Sequence, residues 1–126
     1  MKTKLNKGMT LIELTVVILV LLSLISVLFI GAKAWKAGSD RAQCILNIRN
    51  TQTAGLSWQN MYNKNVGDAV ASSDLIGSGK FLESAPTCPA GGTYTLAATI
   101  PALGTLFNPC SLATSDQHVP ANVTGW

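Results

Sequence analysis

At 126 residues the chain has room for one small domain, or for one membrane segment and a still smaller domain. Hydrophobic side chains make up 48% of it and charged ones only 12%, while nine basic and six acidic residues give a net charge of +3. That excess lies wholly in Lys2, Lys4 and Lys7; the other basic residues are matched one for one by acidic ones, which excludes a basic patch for a phosphate backbone.

In chain order, the first predicted element is a membrane helix. From Leu11 to Ile30 the only polar side chains are Glu13, Thr15, Ser23 and Ser26. Such a run has about the ~20 residues needed to cross a bilayer at ~1.5 Å per residue. The three lysines before it orient the N-terminus to the cytoplasm, so everything after about Lys33 faces the other side. A secretory signal peptide also begins with basic residues and an apolar stretch, but its apolar core is only about 7–15 residues long. Ile30-Gly31-Ala32-Lys33-Ala34 is a loose match to a small-residue cleavage site, and an uncleaved signal-anchor is the other plain reading. Neither explains the residues just before the apolar run.

Those residues, Lys7-Gly8-Met9-Thr10-Leu11-Ile12-Glu13-Leu14, resemble the processing site of type IV prepilins and of the pseudopilins of type II secretion. The resemblance implies cleavage between Gly8 and Met9 by a prepilin peptidase on the cytoplasmic face, and N-methylation of Met9. Such a cut leaves the apolar helix attached. Glu13 is the costly residue, because a carboxylate at mid-membrane costs about 2.5–3.5 kcal/mol on insertion scales, less near an end. After cleavage the new ammonium of Met9 lies four residues before Glu13, on the same helix face, so the pair can close within one helix. The family implies a second option, in which Glu13 neutralises the N-terminal ammonium of a neighbouring subunit and sets its register. Headgroup water is the bland third option. The chain departs from the family in two places: Met9 stands where Phe is frequent, and no Pro interrupts the membrane segment.

The helix is expected to continue to about Tyr62. At 100° per residue Cys44, Ile45, Ile48, Thr51, Gly55, Trp58 and Tyr62 share one side. Gly38-Ser39-Asp40 interrupts the pattern, with Ser39 or Asp40 able to cap a restarted helix, and Asn63 to Gly67 ends it. Ser72-Ser73-Asp74 reads as the cap of a short helical turn carrying Leu75 and Ile76. Thr93-Tyr94-Thr95-Leu96 and Thr105-Leu106-Phe107 read as two strands joined by a turn at Pro101 and Gly104. The expected fold is α+β and pilin-like: a long N-terminal α-helix whose first half spans the membrane, with a small antiparallel β-sheet packed on its second half. Its parts are a cleaved leader (1–8), the transmembrane half of the helix (9–34), the outer half (35–63) and a β-containing region (64–126).

So thin an outer region needs a staple. Cys88 and Cys110 lie on the side of the membrane where disulfides persist, and a bridge between them closes a loop of about 20 residues, worth roughly 3 kcal/mol in the chain-entropy account. Cys88-Pro89-Ala90-Gly91-Gly92-Thr93-Tyr94, then Pro109-Cys110-Ser111 and His118, also resembles the C-terminal pattern of a subgroup of pilin-like proteins, which supports the pairing. Cys44 is left over, either as a small buried hydrophobe or as an intersubunit or reactive thiol. A metal site of Cys88, Cys110 and His118 counts only three ligands without zinc-type spacing, so no metal is expected. His118, in a polar tail, is expected to be exposed, and no nucleophile and base converge to suggest an enzyme or a cofactor.

The resemblance implies a structural subunit of a pseudopilus in a type II secretion-like system, favoured by the small outer domain, or alternatively of a type IV pilus for adhesion, motility or DNA uptake. Its implied partners are other pilin-like subunits, the prepilin peptidase and an inner-membrane assembly platform driven by a cytoplasmic ATPase; nucleic acid is not expected. Before assembly the subunit would sit in the inner membrane with its C-terminal region periplasmic.

Overall fold

The computed structural model describes Gly8 and residues 10–126. One helix dominates: α1 runs from Leu11 to Met61 without a break. No Gly or Pro lies between Leu11 and Ile30, so nothing there opens the backbone ladder. The hydroxyls in that stretch are also closed on the helix. Thr15 donates to the Ile12 carbonyl, Ser23 to Leu19 and Ser26 to Leu22, each at 2.8 Å. A hydroxyl satisfied in this way costs little in a medium without water. α1 is therefore long and apolar enough to cross a membrane, and the described residues bury none of its most apolar stretch.

Gly38-Ser39-Asp40 does not interrupt the helix. All three residues lie inside α1, so neither Ser39 nor Asp40 acts as a cap. Among the described residues a Cβ at Gly38 would meet nothing within 4 Å, and one glycine costs only about 1 kcal/mol in a helix interior, too little to break one held by packing on its later turns. The end comes where expected. Asn63 takes the left-handed conformation (φ 49°), and the Lys64 amide reaches back to the Gln59 carbonyl at 2.9 Å. This is a Schellman-type stop with Asn in the position usually held by Gly.

The chain divides into two compact units, Met1–Lys36 and Ala37–Trp126. Within the second unit, the stripe Cys44, Ile48, Thr51, Gln52, Ala54 and Trp58 of α1 is buried. Of the expected apolar side, Tyr62 is exposed and Ile45 and Gly55 are only half-covered. Two apolar clusters result. Trp58, Val70, Leu75, Ile100 and Phe107 form one; Cys44, Ile48, Cys88 and Cys110 form the other, with Tyr94, Leu106, Leu112 and Trp126 against it. The short helix α2, Ser72–Leu75, places Leu75 fully in the first cluster. Its Asp74 carboxylate accepts the Ala71 amide at 3.0 Å.

The expected sheet is corrected: there is no β-strand among the described residues, only isolated bridges. A few isolated backbone contacts run between the neighbourhoods of the two expected strands. Tyr94 bridges Cys110 antiparallel, and the Ala97 and Thr95 amides donate to Phe107 and Pro109 at 2.9 and 3.2 Å. Pro109 has no amide to return, and Pro101 and Gly104 (φ 86°) bend the chain before a ladder can lengthen. The helix supplies the missing partners instead. Gln52, buried on α1, accepts the Phe107 amide at 2.8 Å and donates to the Thr105 carbonyl at 3.3 Å, as a neighbouring strand would. Asn47 donates likewise to the Thr87 carbonyl at 3.0 Å.

Candidate functional site

Two groups of predicted residues carry chemistry, one in each unit. At the start of α1, Thr10 and Glu13 cap the helix reciprocally. The Thr10 amide donates to Glu13 Oε2 at 3.1 Å, and the Glu13 amide donates to Thr10 Oγ1 at 3.3 Å. This is a capping box, which satisfies two of the amides that a helix start leaves without partners. Glu13 thus has a local task besides the charge pairing expected of it. Gly8 is exposed, and among the described residues a Cβ there would meet nothing within 4 Å. Met9, the expected new N-terminus and methylation position, and the lysines at 2, 4 and 7 lie outside the described residues.

The second group is assembled from four distant positions. Cys44 comes from α1, Cys88 from the loop after Pro86, Cys110 from the segment bridged to Tyr94, and His118 from the turn that follows. Their ligand atoms all lie within 4.8 Å of one another, and all four residues are buried. His118 is not the exposed tail residue expected: it is 2% accessible, with Nδ1 3.4 Å from Cys88 Sγ. Cys88 and Cys110, the expected disulfide pair, are both free thiols, as is Cys44. Cys44 is fully buried in the same apolar cluster, as a small hydrophobe would be, and it receives a hydrogen bond from the Tyr94 hydroxyl at 3.3 Å.

The thiols are electrostatically unlike. Burial pushes Cys44 up to about 12, against the Tyr94 hydrogen bond, with the neighbouring thiols adding to the rise. Burial opposes ionisation of Cys88 as well, but there the Ala90 and Gly92 amides aimed at its sulfur, with the two other thiols, win and hold it below the ordinary thiol value. Burial and the Cys44 sulfur drive the Tyr94 phenol above its usual range. Gly92 is required by this crowding. A Cβ there would stand 2.8 Å from Cys110 Sγ and 3.0 Å from Leu112 Cγ.

Both features had weak signatures. Thr10-Leu11-Ile12-Glu13 is a capping-box sequence, overshadowed by the processing motif it overlaps. Cys44 lies too far from Cys88 in the chain to register as a spaced ligand pair, so the expected ligand count fell one short. No protein-family model, curated protein or solved structure matches the chain.

Proposed function

We propose that the chain is a structural subunit of an extracytoplasmic filament of the pilus or pseudopilus type, trimmed after Gly8 and assembled through the first half of α1. The observation that carries this reading is the Gly8-Met9-Thr10-Leu11-Ile12-Glu13 run joined to an apolar stretch that none of the described residues buries. Lipid covers such a surface while the subunit waits in the inner membrane. Once the helix is extracted, only other apolar helices can cover it, which favours a bundle of copies. Glu13 supplies the one charge in that surface, four residues after the expected new ammonium of Met9. The small region after α1 favours the pseudopilus of a type II secretion-like system within this class.

Intact mass and N-terminal sequencing of the membrane-extracted protein test the processing step. A chain beginning at methylated Met9 in cells with an active prepilin peptidase is the expected result. A chain still beginning at Met1 in those cells removes the reading.

A further inference from the structure

We propose that Cys44, Cys88, Cys110 and His118 form a structural zinc site, a closed Cys₃His centre that ties α1 to three separate stretches of the outer region. The proposal is independent of the filament reading.

The ligand set and its geometry fit. Zinc bonds of ~2.3 Å to sulfur and ~2.05 Å to nitrogen at tetrahedral angles put sulfurs about 3.8 Å apart and sulfur and nitrogen about 3.6 Å apart. Here the four ligand atoms lie within 4.8 Å of one another, and Cys88 Sγ to His118 Nδ1 is already 3.4 Å. A disulfide would draw two sulfurs to ~2.05 Å and leave a thiol and an imidazole buried beside it. A tetrahedral ion uses all four groups. Four protein ligands fill the coordination shell of zinc, so no position stays open for water or substrate and the role is structural.

The surroundings match what such a centre requires. Three thiolates and a divalent ion carry one net negative charge, which buried sulfur can hold only with donors pointed at it. Tyr94 donates its hydroxyl to Cys44 at 3.3 Å. Tyr94 is itself fixed by Asn47, one turn along α1, at 3.3 Å. Gly92 leaves the space that the Cys110 sulfur occupies. Each thiol releases its proton on binding, so three protons leave per ion. A region without a sheet, resting on two small apolar clusters, gains from this centre the cross-link its size demands.

The test uses the full chain, extracted from membranes in detergent without chelator or added reductant. One zinc per chain is expected by elemental analysis. Exchange with Co(II) alone should give the intense visible bands of tetrahedral cobalt and a thiolate-to-cobalt charge-transfer band. Cys44→Ala should abolish the charge-transfer signature of a three-sulfur site. Tyr94→Phe should keep the stoichiometry but weaken metal affinity about tenfold, the lower end for loss of a supporting hydrogen bond. The native chain decides the matter without relying on variants. Zinc well below one per chain with no cobalt spectrum overturns the proposal. So does a chain lighter by the two hydrogens of a disulfide, with Cys88 and Cys110 linked in its digest.

Discussion

The two tasks of Glu13 can be separated by one pair of substitutions. Glu13→Gln keeps a side-chain carbonyl that accepts the Thr10 amide, and Gln serves a capping box as Glu does. Glu13→Ala removes that acceptor but spares the other half of the box, the 3.3 Å bond from the residue-13 amide to Thr10 Oγ1. Loss of one exposed 3.1 Å hydrogen bond at the first turn is worth about 1 kcal/mol or less. A helix of 51 residues, most of it outside that turn, loses only fraying at its start. If capping were the whole role, Gln would assemble normally and Ala nearly so. Charge pairing predicts otherwise. An ammonium left without its carboxylate inside an apolar bundle costs about 3–5 kcal/mol, or more than a hundredfold in incorporation. Both variants should then be inserted and processed, yet give almost no filaments. Sheared surface filaments quantified against membrane-retained subunit provide the assay. Filaments from Glu13→Gln at native abundance would refute the charge-pairing argument and leave Glu13 as a cap.

Gln52→Leu should destabilise the outer region by about 1–3 kcal/mol, because it leaves the Phe107 amide buried without its 2.8 Å partner; thermal unfolding in detergent reads this as a lowered Tm. Gly92→Ala should cost about 1–3 kcal/mol by overpacking, its Cβ falling 2.8 Å from Cys110 Sγ, and thiol-specific labelling should find Cys110 more accessible than in the native chain.

The long helix, its end at Asn63 and the short turn at Ser72 were legible because each rests on local chemistry: an unbroken apolar run, a left-handed stop and an acidic first turn. The sheet was misread for an identifiable reason. Thr93-Tyr94-Thr95-Leu96 does alternate in burial as a strand would, but alternation reports a packed face and not a ladder. Whether a ladder forms depends on a partner with free amides, and Pro109 withholds one where it is needed. Long-range convergence was the least legible. Cys44 and His118 are brought to Cys88 only by the chain wrapping back on α1, a fact that no spacing rule encodes.

Why one continuous helix carries both groups follows from what each half must satisfy. Every residue from 11 to 39 is exposed, and the hydroxyls of Thr15, Ser23 and Ser26 are satisfied on the helix itself, so this part asks nothing of the rest of the chain. From Cys44 onward the same helix turns polar side chains inward: Asn47 and Gln52 complete the backbone of segments too short and proline-rich to complete each other. That substitution removes the need for a sheet but concentrates the outer region's integrity on a few residues of one stripe. Hydrophobic burial there is small, since the two clusters hold only a handful of fully covered side chains. Cys44 sits on the helix just ahead of those residues, and its contacts reach the stretches carrying Cys88, Cys110 and His118. The proposed metal bond at that point would restrain the loops against the helix in addition to those amides.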